Sequence, residues 1–368
     1  MSPKKSTTNN DIEARLEKIS ANINKTAYGG EHHDAVSWIG SSKSTDLERF
    51  SSGDPGLDEA LGGGWPKGRF IELYGEPSSG KSTLTLQAIA EHQKKYPDEI
   101  CALIDTEYTF DCHYAENIGV DVKHLLTLQP ESGRQALNVL NMMILNGVKL
   151  IVVDSVAALA TDAELEGDIG DTHVAEQARL MSQSLRLITI SAGQNNATVF
   201  WTNQVREKVG GLGYGDKTTT PAGKALKHYA SIRAQIVTIG KNKEKINGED
   251  VVVSTKTRVN VQKNKTSAPF KTAEFSISFG WGIDRVAGIF DKALEKGVVT
   301  KSGNTFMFGE EKIEVGRQKA MDKLRSDKAL CDRINDAVLK TVSTSDFEPV
   351  AFVPTGSETD ADVDVDDV

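Results

Sequence analysis

The chain has 368 residues, of which 38% are hydrophobic and 26% are charged, proportions typical of a globular protein with more than one domain. No stretch approaches the apolar length that spans a bilayer, and the first residues lack the apolar segment of a secretory signal, so we expect no membrane partner. The net charge of −9 excludes a uniformly basic nucleic-acid binder, and three cysteines without metal-ligand spacing indicate a reduced, cytoplasmic location.

The N-terminal segment, residues 1–49, contains one predicted helix. Residues 1–10 are polar and expected to be disordered, whereas in residues 11–25 Ile12, Leu16, Ile19 and Ile23 recur at helical spacing and share one face. A lone helix this short is marginal in water, so its apolar stripe needs a partner. That partner is either this chain's own core or a neighbouring subunit, and periodicity alone favours the own core.

Strands and helices alternate over residues 50–280. The strand candidates are 69–74, 101–105, 150–154, 198–203, 233–239, 251–262 and 273–279, and the helix candidates are 81–95, 133–146 and 174–192. This alternation predicts the α/β class, with a mainly parallel twisted sheet covered by helices on both faces. The last strands follow one another closely, which indicates an antiparallel edge.

The remainder of the chain divides into a small C-terminal domain and a tail. Residues 281–342 read as a mixed α/β appendage in which 312–339 is helix-prone and highly charged. Residues 343–368 hold six acids within the last eleven positions, and this composition predicts a disordered acidic tail.

A phosphate-binding loop is the strongest motif. Residues 75–82 read GEPSSGKS, a full match to GxxxxGK[ST], and they lie between a predicted strand and a predicted helix. Glycines let the backbone wrap closely around a phosphate, and the loop N–H groups then face the anion. The motif predicts binding of ATP and Mg²⁺. The expected ATP-binding positions in the loop are Gly75, Ser78, Ser79, Gly80, Lys81, Ser82 and Thr83.

Two carboxylates complete the predicted site. Asp154 ends the apolar run LIVVD, a buried strand that delivers its carboxylate to the ligand-binding edge of the sheet. Together with the Ser82 hydroxyl, Asp154 is expected to hold Mg²⁺, through water. Glu107 follows the strand CALID by two residues, and we interpret it as the group that orients the attacking water. The alternative for Glu107 is a solvated loop acid.

These residues resemble the RecA recombinases of bacteria and their phages. The sequence segments that carry the resemblance over residues 50–300 include SSGDPGLDEALGGGWPKGR, GEPSSGKSTLTLQ, CALIDTEYTFDCHYAENIGVD, NQVREK, TTTPAGKALKHYAS and VQKNKTSAPF. The resemblance implies a DNA-dependent ATPase that polymerises on single-stranded DNA and drives homologous pairing and strand exchange in repair and recombination. The loop departs from the common bacterial form at Pro77 and Ser82, and His228 stands where many members have an aromatic residue.

The resemblance assigns further roles around the nucleotide. Glu107 corresponds to the catalytic glutamate, which acts with Lys81, and Gln204 corresponds to the sensor that links the γ-phosphate to the DNA loops. Asp111 and Tyr114 correspond to the adenine contacts, with Tyr114 stacking on the base.

Other roles lie between subunits and on DNA. Lys263 and Lys265 resemble the pair that reaches the neighbour's phosphates, and Phe279 resembles an aromatic residue at that interface. The helix at 11–25 resembles the arm that docks on the next subunit. This resemblance reverses the preference for packing on the chain's own core that periodicity alone gives. Two loops, roughly 164–175 and 205–223, resemble the DNA-binding loops. The DNA-binding candidates are Arg179, Arg186, Arg206, Lys208 and Gly223.

The expected function is therefore an ATP-driven recombinase. Its expected partners are single-stranded DNA, homologous duplex DNA and copies of itself in a helical filament, with mediator and single-strand-binding proteins as possible further partners. In the family's manner, the acidic tail is expected to compete with DNA phosphates for basic surface. The alternatives are a RecA-like helicase or clock-type ATPase, a nucleotide-switched DNA scaffold with little turnover, and a small-molecule P-loop kinase.

Overall fold

This computed structural model describes residues 9–28, 36, 47–167, 174–207, 218–219, 224–246 and 248–345. The chain forms two units, residues 1–48 and residues 49–368. In the first unit, helix α1 (Asn9–Tyr28) is longer at both ends than the predicted 11–25. The buried Asn24 amide accepts from the backbone N–H of Val36 at 2.8 Å and donates to its carbonyl at 3.0 Å.

The apolar stripe of α1 faces solvent. Ile12, Leu16, Ile19 and Ile23 are all exposed, with Ile19 the most open at 52%. The own core and a neighbouring subunit both remain predicted partners of this stripe. The resemblance to a subunit-docking arm favours the neighbouring subunit.

The second unit holds the remaining elements of the described chain. Its helices are α2 (Pro55–Leu61), α3 (Lys81–Lys95), α4 (Cys112–Ile118), α5 (Gly133–Leu145), α6 (Asp162–Glu166), α7 (Val174–Asn195), α8 (Ala225–Tyr229), α9 (Arg285–Glu295), α10 (Arg317–Ser326) and α11 (Lys328–Ser345). Its strands are β1 (Arg49–Phe50), β2 (Trp65–Pro66), β3 (Phe70–Gly75), β4 (Cys101–Asp105), β5 (Leu125–Leu128), β6 (Leu150–Asp154), β7 (Thr198–Gln204), β8 (Arg206–Glu207), β9 (Thr218–Thr219), β10 (Ile232–Ile246), β11 (Glu249–Asn264), β12 (Thr272–Ser278), β13 (Gly282–Ile283), β14 (Val299–Ser302), β15 (Thr305–Phe308) and β16 (Glu311–Val315).

A nine-stranded sheet organises this unit, in the order β13-β12-β11-β10-β3-β7-β6-β4-β5. From β10 to β5 every pairing is parallel, whereas β10–β11, β11–β12 and β12–β13 are antiparallel. The predicted α/β fold with a mainly parallel sheet and an antiparallel edge is confirmed.

Alternation along the strands sends side chains into two cores, one on each face of the sheet. On β6, Leu150 and Val152 join the core packed by α3 and α4, while Ile151 and Val153 join the core packed by α5 and α7. Because both faces are covered, the strand reads as a continuous apolar run, as expected for buried parallel strands. Helices on both faces hold the carboxyl ends of β3, β4, β6 and β7 at one edge.

Three element predictions need correction. The antiparallel hairpin of β10 and β11 is much longer than the predicted 233–239 and 251–262, because its outer half is polar and lysine-rich and lacks strand patterning. Residues 312–339 are not one helical stretch: β16 runs to Val315, and Asp327 separates α10 from α11. The second DNA-loop candidate is not wholly structureless, since β8 pairs with β9 inside it.

The C-terminal elements have a core of their own. Helices α9, α10 and α11 pack on the three-stranded antiparallel sheet β14-β15-β16 around side chains such as Phe290, Phe306, Leu324 and Ile334. Residues 346–368, including the acidic run, lie outside the described residues. The proposed domain boundaries at 49, 280 and 342 remain predictions.

Candidate active site

The phosphate loop connects the end of β3 to the start of α3. A Cβ on Gly75 would stand 2.2 Å from the carbonyl oxygen of Ile236 in the adjacent strand, so only glycine fits there. Gly80, at the N-terminus of α3, has φ of 101°, a conformation that other residues rarely adopt. These two requirements explain why the motif has glycine at its first position, Gly75, and at its sixth, Gly80.

Lys81 and Ser79 are the loop side chains most informative about a ligand. The Lys81 ammonium donates to the carbonyls of Gly75 at 3.1 Å and Glu76 at 2.8 Å, and burial lowers its pKa, against the attraction of Asp154 and Glu107. Ser79 Oγ is buried and finds no hydrogen-bond partner among the described residues. A buried hydroxyl without a partner is costly, and a phosphate oxygen at this loop would accept a hydrogen bond from it.

Asp154 lies beside the loop at the carboxyl end of β6. Its Oδ1 accepts a hydrogen bond from the Thr202 hydroxyl at 2.5 Å, and its carboxylate is also hydrogen-bonded to the Ser82 side chain. Burial raises the pKa of Asp154, and these two hydrogen bonds oppose the rise. A hydroxyl and a carboxylate in contact form the pair that holds Mg²⁺ in P-loop proteins.

No group of three or more histidine, cysteine or acidic side chains with metal-binding geometry exists in the part of the chain that the structure describes. Mg²⁺ in nucleotide sites uses one or two protein ligands and completes its shell with phosphate oxygens and water.

Glu107 stands one strand over, after β4, as its position in the sequence predicts. The register places Asp105 beside Asp154, so the segments that follow both strands meet at the same edge. Glu107 Oε1 accepts from Ser155 Oγ at 2.6 Å and from Gln204 Nε2 at 3.3 Å. The structure therefore brings Lys81, Ser82, Asp154, Glu107 and Gln204 together.

The adenine candidates, Asp111 and Tyr114, line one cavity together with Ser82 and Asp154. Asp111 caps α4, with its Oδ1 accepting from the N–H groups of His113 at 2.9 Å and Tyr114 at 3.1 Å. The Tyr114 hydroxyl is hydrogen-bonded to Thr83 Oγ1 at 2.7 Å, which fixes the ring over the start of α3. Burial raises the pKa of Tyr114, and the hydrogen bond with Thr83 opposes the rise.

The intersubunit candidates are found on the antiparallel edge. Lys263 Nζ donates to the carbonyls of Lys227 at 2.7 Å and His228 at 3.1 Å, and Lys265 Nζ donates to that of His228 at 3.4 Å. Burial lowers the pKa of Lys263, and the charges of Lys265 and Arg233 lower it further. Phe279 is exposed, at 53%.

The DNA candidates are only partly visible. Arg179 and Arg186 are exposed on α7, and Arg206 belongs to β8, directly after the strand that carries Gln204. Lys208 and Gly223, and residues 168–173 of the first loop, lie outside the described residues.

Several residues of this site were missed in the sequence. Thr202 orients Asp154, and Ser155 holds Glu107 while its backbone N–H donates to Thr106 Oγ1 at 2.6 Å. A threonine within TVFWTNQ reads simply as a β-former, so nothing in the pattern distinguished it. The one available signal was the hydroxyl residue that directly follows Asp154.

No described helix is long and apolar enough to cross a membrane.

A family model described as the RecA N-terminal domain matches residues 14–284, and one described as the RecA C-terminal domain matches residues 287–343.

Relatives extend over the whole chain. Protein RecA of Corynebacterium glutamicum (strain R) is 40% identical, covering 100% of both chains. Protein RecA of Helicobacter hepaticus is 43% identical over 88% of this chain and 92% of its own. Protein RecA of Chlorobium limicola is 48% identical over 78% of this chain and 81% of its own. The chain belongs to the RecA family and is a recombinase of DNA repair and recombination.

Proposed function

We propose that this chain is a DNA-dependent ATPase that polymerises on single-stranded DNA and uses ATP with Mg²⁺ to drive pairing and strand exchange with homologous duplex DNA. The observation that carries the proposal is the meeting of five side chains at one sheet edge: Lys81, Ser82, Asp154, Glu107 and Gln204. Beside them lies the Ser79 hydroxyl, which has no hydrogen-bond partner in the part of the chain that the structure describes. A loop that only bound a phosphate would not need Glu107 and Gln204.

Glu107 acts on the water that attacks the γ-phosphate. Its Oε1 already accepts two hydrogen bonds, so Oε2 is the oxygen that accepts one from water and orients it. Lys81 leaves the two carbonyls it now contacts and binds phosphate oxygens, where its charge stabilises the transition state. Ser82 and Asp154 would hold Mg²⁺, which when bound would neutralise charge on the phosphates.

DNA couples to this chemistry through Gln204. Its side chain contacts Glu107, and the segment proposed as the second DNA loop begins at the next residue and carries Arg206. Strand β7 therefore ends in a residue that can respond to the γ-phosphate on one side and to DNA on the other. Exposed Arg179 and Arg186 supply phosphate contacts that do not depend on DNA sequence.

Two variants separate binding from turnover. Glu107→Gln should bind a fluorescent ATP analogue and assemble on single-stranded DNA, while phosphate release falls at least 100-fold, on the order expected for a lost general base. Lys81→Ala should lose nucleotide binding as well. The matched control is Glu310→Gln, an exposed acid in the C-terminal domain. Undiminished phosphate release by Glu107→Gln would contradict the catalytic role and favour the solvated loop acid.

A further inference from the structure

A row of buried and half-buried polar side chains crosses the sheet between two parts of the nucleotide machinery. Arg233 on β10 pairs in register with Glu72 on β3 and with Lys263 on β11, so the three side chains share one face. Asn203 on β7 reaches the same carboxylate, donating from Nδ2 to Glu72 Oε1 at 3.1 Å. The row thus spans four adjacent strands.

The centre of the row is a buried ion pair. Glu72 and Asn203 are both 0% exposed, and Arg233 donates from Nε to Glu72 Oε2 while its guanidinium lies 4.6 Å from the centre of the Tyr74 ring. The two oxygens of Glu72 are therefore divided between Asn203 and Arg233. A buried carboxylate with two specific donors resists displacement of either one.

The two ends of the row belong to two different nucleotide sites. Asn203 Oδ1 accepts from the backbone N–H of Gln204 at 3.0 Å, and Gln204 contacts Glu107 in this subunit's own site. At the far end Lys263, which is proposed to serve the neighbour's phosphates, lies in the field of both Arg233 and Glu72. One carboxylate thus stands between the two sites that a single subunit serves.

We propose that Asn203, Glu72, Arg233 and Lys263 form a positioning relay that couples a subunit's own ATP site to the ATP site it completes on the neighbouring subunit. The relay rests on the proposed function, because it requires ATP at both ends. When Gln204 engages the γ-phosphate, its backbone N–H moves with it, and Asn203 transmits that movement to Glu72. Arg233 follows Glu72, which changes the electrostatic field at Lys263.

The experiment measures how steeply the hydrolysis rate of the full-length protein rises with ATP concentration on single-stranded DNA. A coupled filament gives a sigmoidal curve, whereas independent sites give a Hill coefficient of about 1. Glu72→Gln removes the charge, and Glu72→Asp keeps the charge but shortens its reach. The matched control is Glu274→Gln on β12, which removes a more exposed carboxylate from Lys256 and Arg258 in the same sheet.

We expect the wild type and Glu274→Gln to give the same sigmoidal curve, and both Glu72 variants to give a Hill coefficient of about 1 while still binding nucleotide. Combining Glu72→Gln with Lys263→Ala should change the rate less than about two-fold beyond Lys263→Ala alone, because the relay acts through that lysine. If Glu72→Gln does not fold, Glu72→Asp and Arg233→Lys, checked by thermal melting, decide the matter.

Folded Glu72 variants that keep the wild-type Hill coefficient, or effects that add fully to those of Lys263→Ala, would overturn the relay. A wild-type curve with a Hill coefficient of about 1 would also overturn it, since there would be no coupling to transmit. Wild-type hydrolysis indifferent to DNA is a separate result, because it contradicts the proposed function itself.

Discussion

Asp154 depends on the residues around it for its orientation. A carboxylate at the end of a strand can rotate, and a metal site needs it in one conformation. Here the Thr202 hydroxyl, itself buried, fixes Oδ1, and Ser82 contacts the same carboxylate from the phosphate loop. Thr202, which lies on the strand next to the proposed Mg²⁺ ligand Asp154, is thus part of the site.

Thr202→Val tests this orientation with little change in shape. A hydrogen bond to a charged group contributes about 1.5–3 kcal/mol, so the variant should need roughly ten-fold more Mg²⁺ to support half-maximal binding of a fluorescent ATP analogue. Thr202→Ser keeps the hydroxyl and should stay close to wild type. Equal Mg²⁺ requirements for valine and threonine would show that the hydroxyl does not matter to the metal site.

Residues with a strict geometric requirement could be predicted from the sequence, and residues that support them could not. Gly75 and Gly80 are dictated by close packing and a positive φ, and Lys81 and Ser82 by phosphate and Mg²⁺, so the motif reveals all four. Glu72 lies inside an apolar strand far along the chain from Arg233, and only the parallel pairing of β3 with β10 brings the two residues together.

At the scale of elements, α2 and α9 meet at a buried carboxyl group. Asp54 caps α2 by accepting from the N–H of Leu57 at 2.8 Å, and Gly288 of α9 packs so closely that a Cβ there would stand 2.1 Å from Asp54 Oδ2. Burial raises the pKa of Asp54 to about 7; the N–H groups of Leu57 and Gly56 and the charge of Lys292 oppose the rise, and the charge of Asp58 adds to it.

This pKa predicts that the protein loses stability as pH rises. Because the pKa of Asp54 is raised on folding, its contribution is fully present below about pH 4 and is lost as pH rises through about 7, at a cost on the order of 4 kcal/mol. Asp54→Asn keeps an oxygen to cap α2 and removes the titration. It should reduce the fall in melting temperature between about pH 5 and pH 8.

The control for this prediction is Asp98→Asn, at an exposed position after α3. It should leave the pH dependence of the melting temperature at its wild-type slope. An Asp54→Asn protein with the full wild-type pH dependence would show that the buried carboxyl does not titrate in this range.

Elements with strong periodicity were predicted closely, and elements held by tertiary contacts were not. Strand β6 and helix α3 have the bounds that their apolar patterns indicate. The outer half of the β10–β11 hairpin carries Lys241, Lys243 and Lys245, which suggest a loop, yet backbone pairing extends through it. Strand β5 escaped prediction because it is short and partly exposed at the sheet edge.

At the scale of the whole molecule, the exposed stripe on α1 is proposed to join subunits. Leu16→Asp places a charge in that stripe, and losing the burial of one leucine side chain at a subunit interface alone costs about 1.5–3 kcal/mol. We expect the variant to lose long filaments in electron micrographs and in sedimentation, while its melting temperature stays at the wild-type value.

Lys18→Ala, on the same helix but at a polar exposed position, should still form filaments. Filaments of normal length from Leu16→Asp would contradict the docking role of α1 and would require another intersubunit contact.

The proposed function as a recombinase depends on ATP hydrolysis that responds to DNA. The most direct measurement is steady-state ATP hydrolysis by the full chain with and without single-stranded DNA, beside Lys81→Ala. We expect strong stimulation by DNA in the wild type and none in the variant, because the site at Lys81, Asp154 and Glu107 contacts Gln204 immediately before the second DNA loop. Hydrolysis at the same rate with and without DNA would contradict the proposed DNA-dependent ATPase.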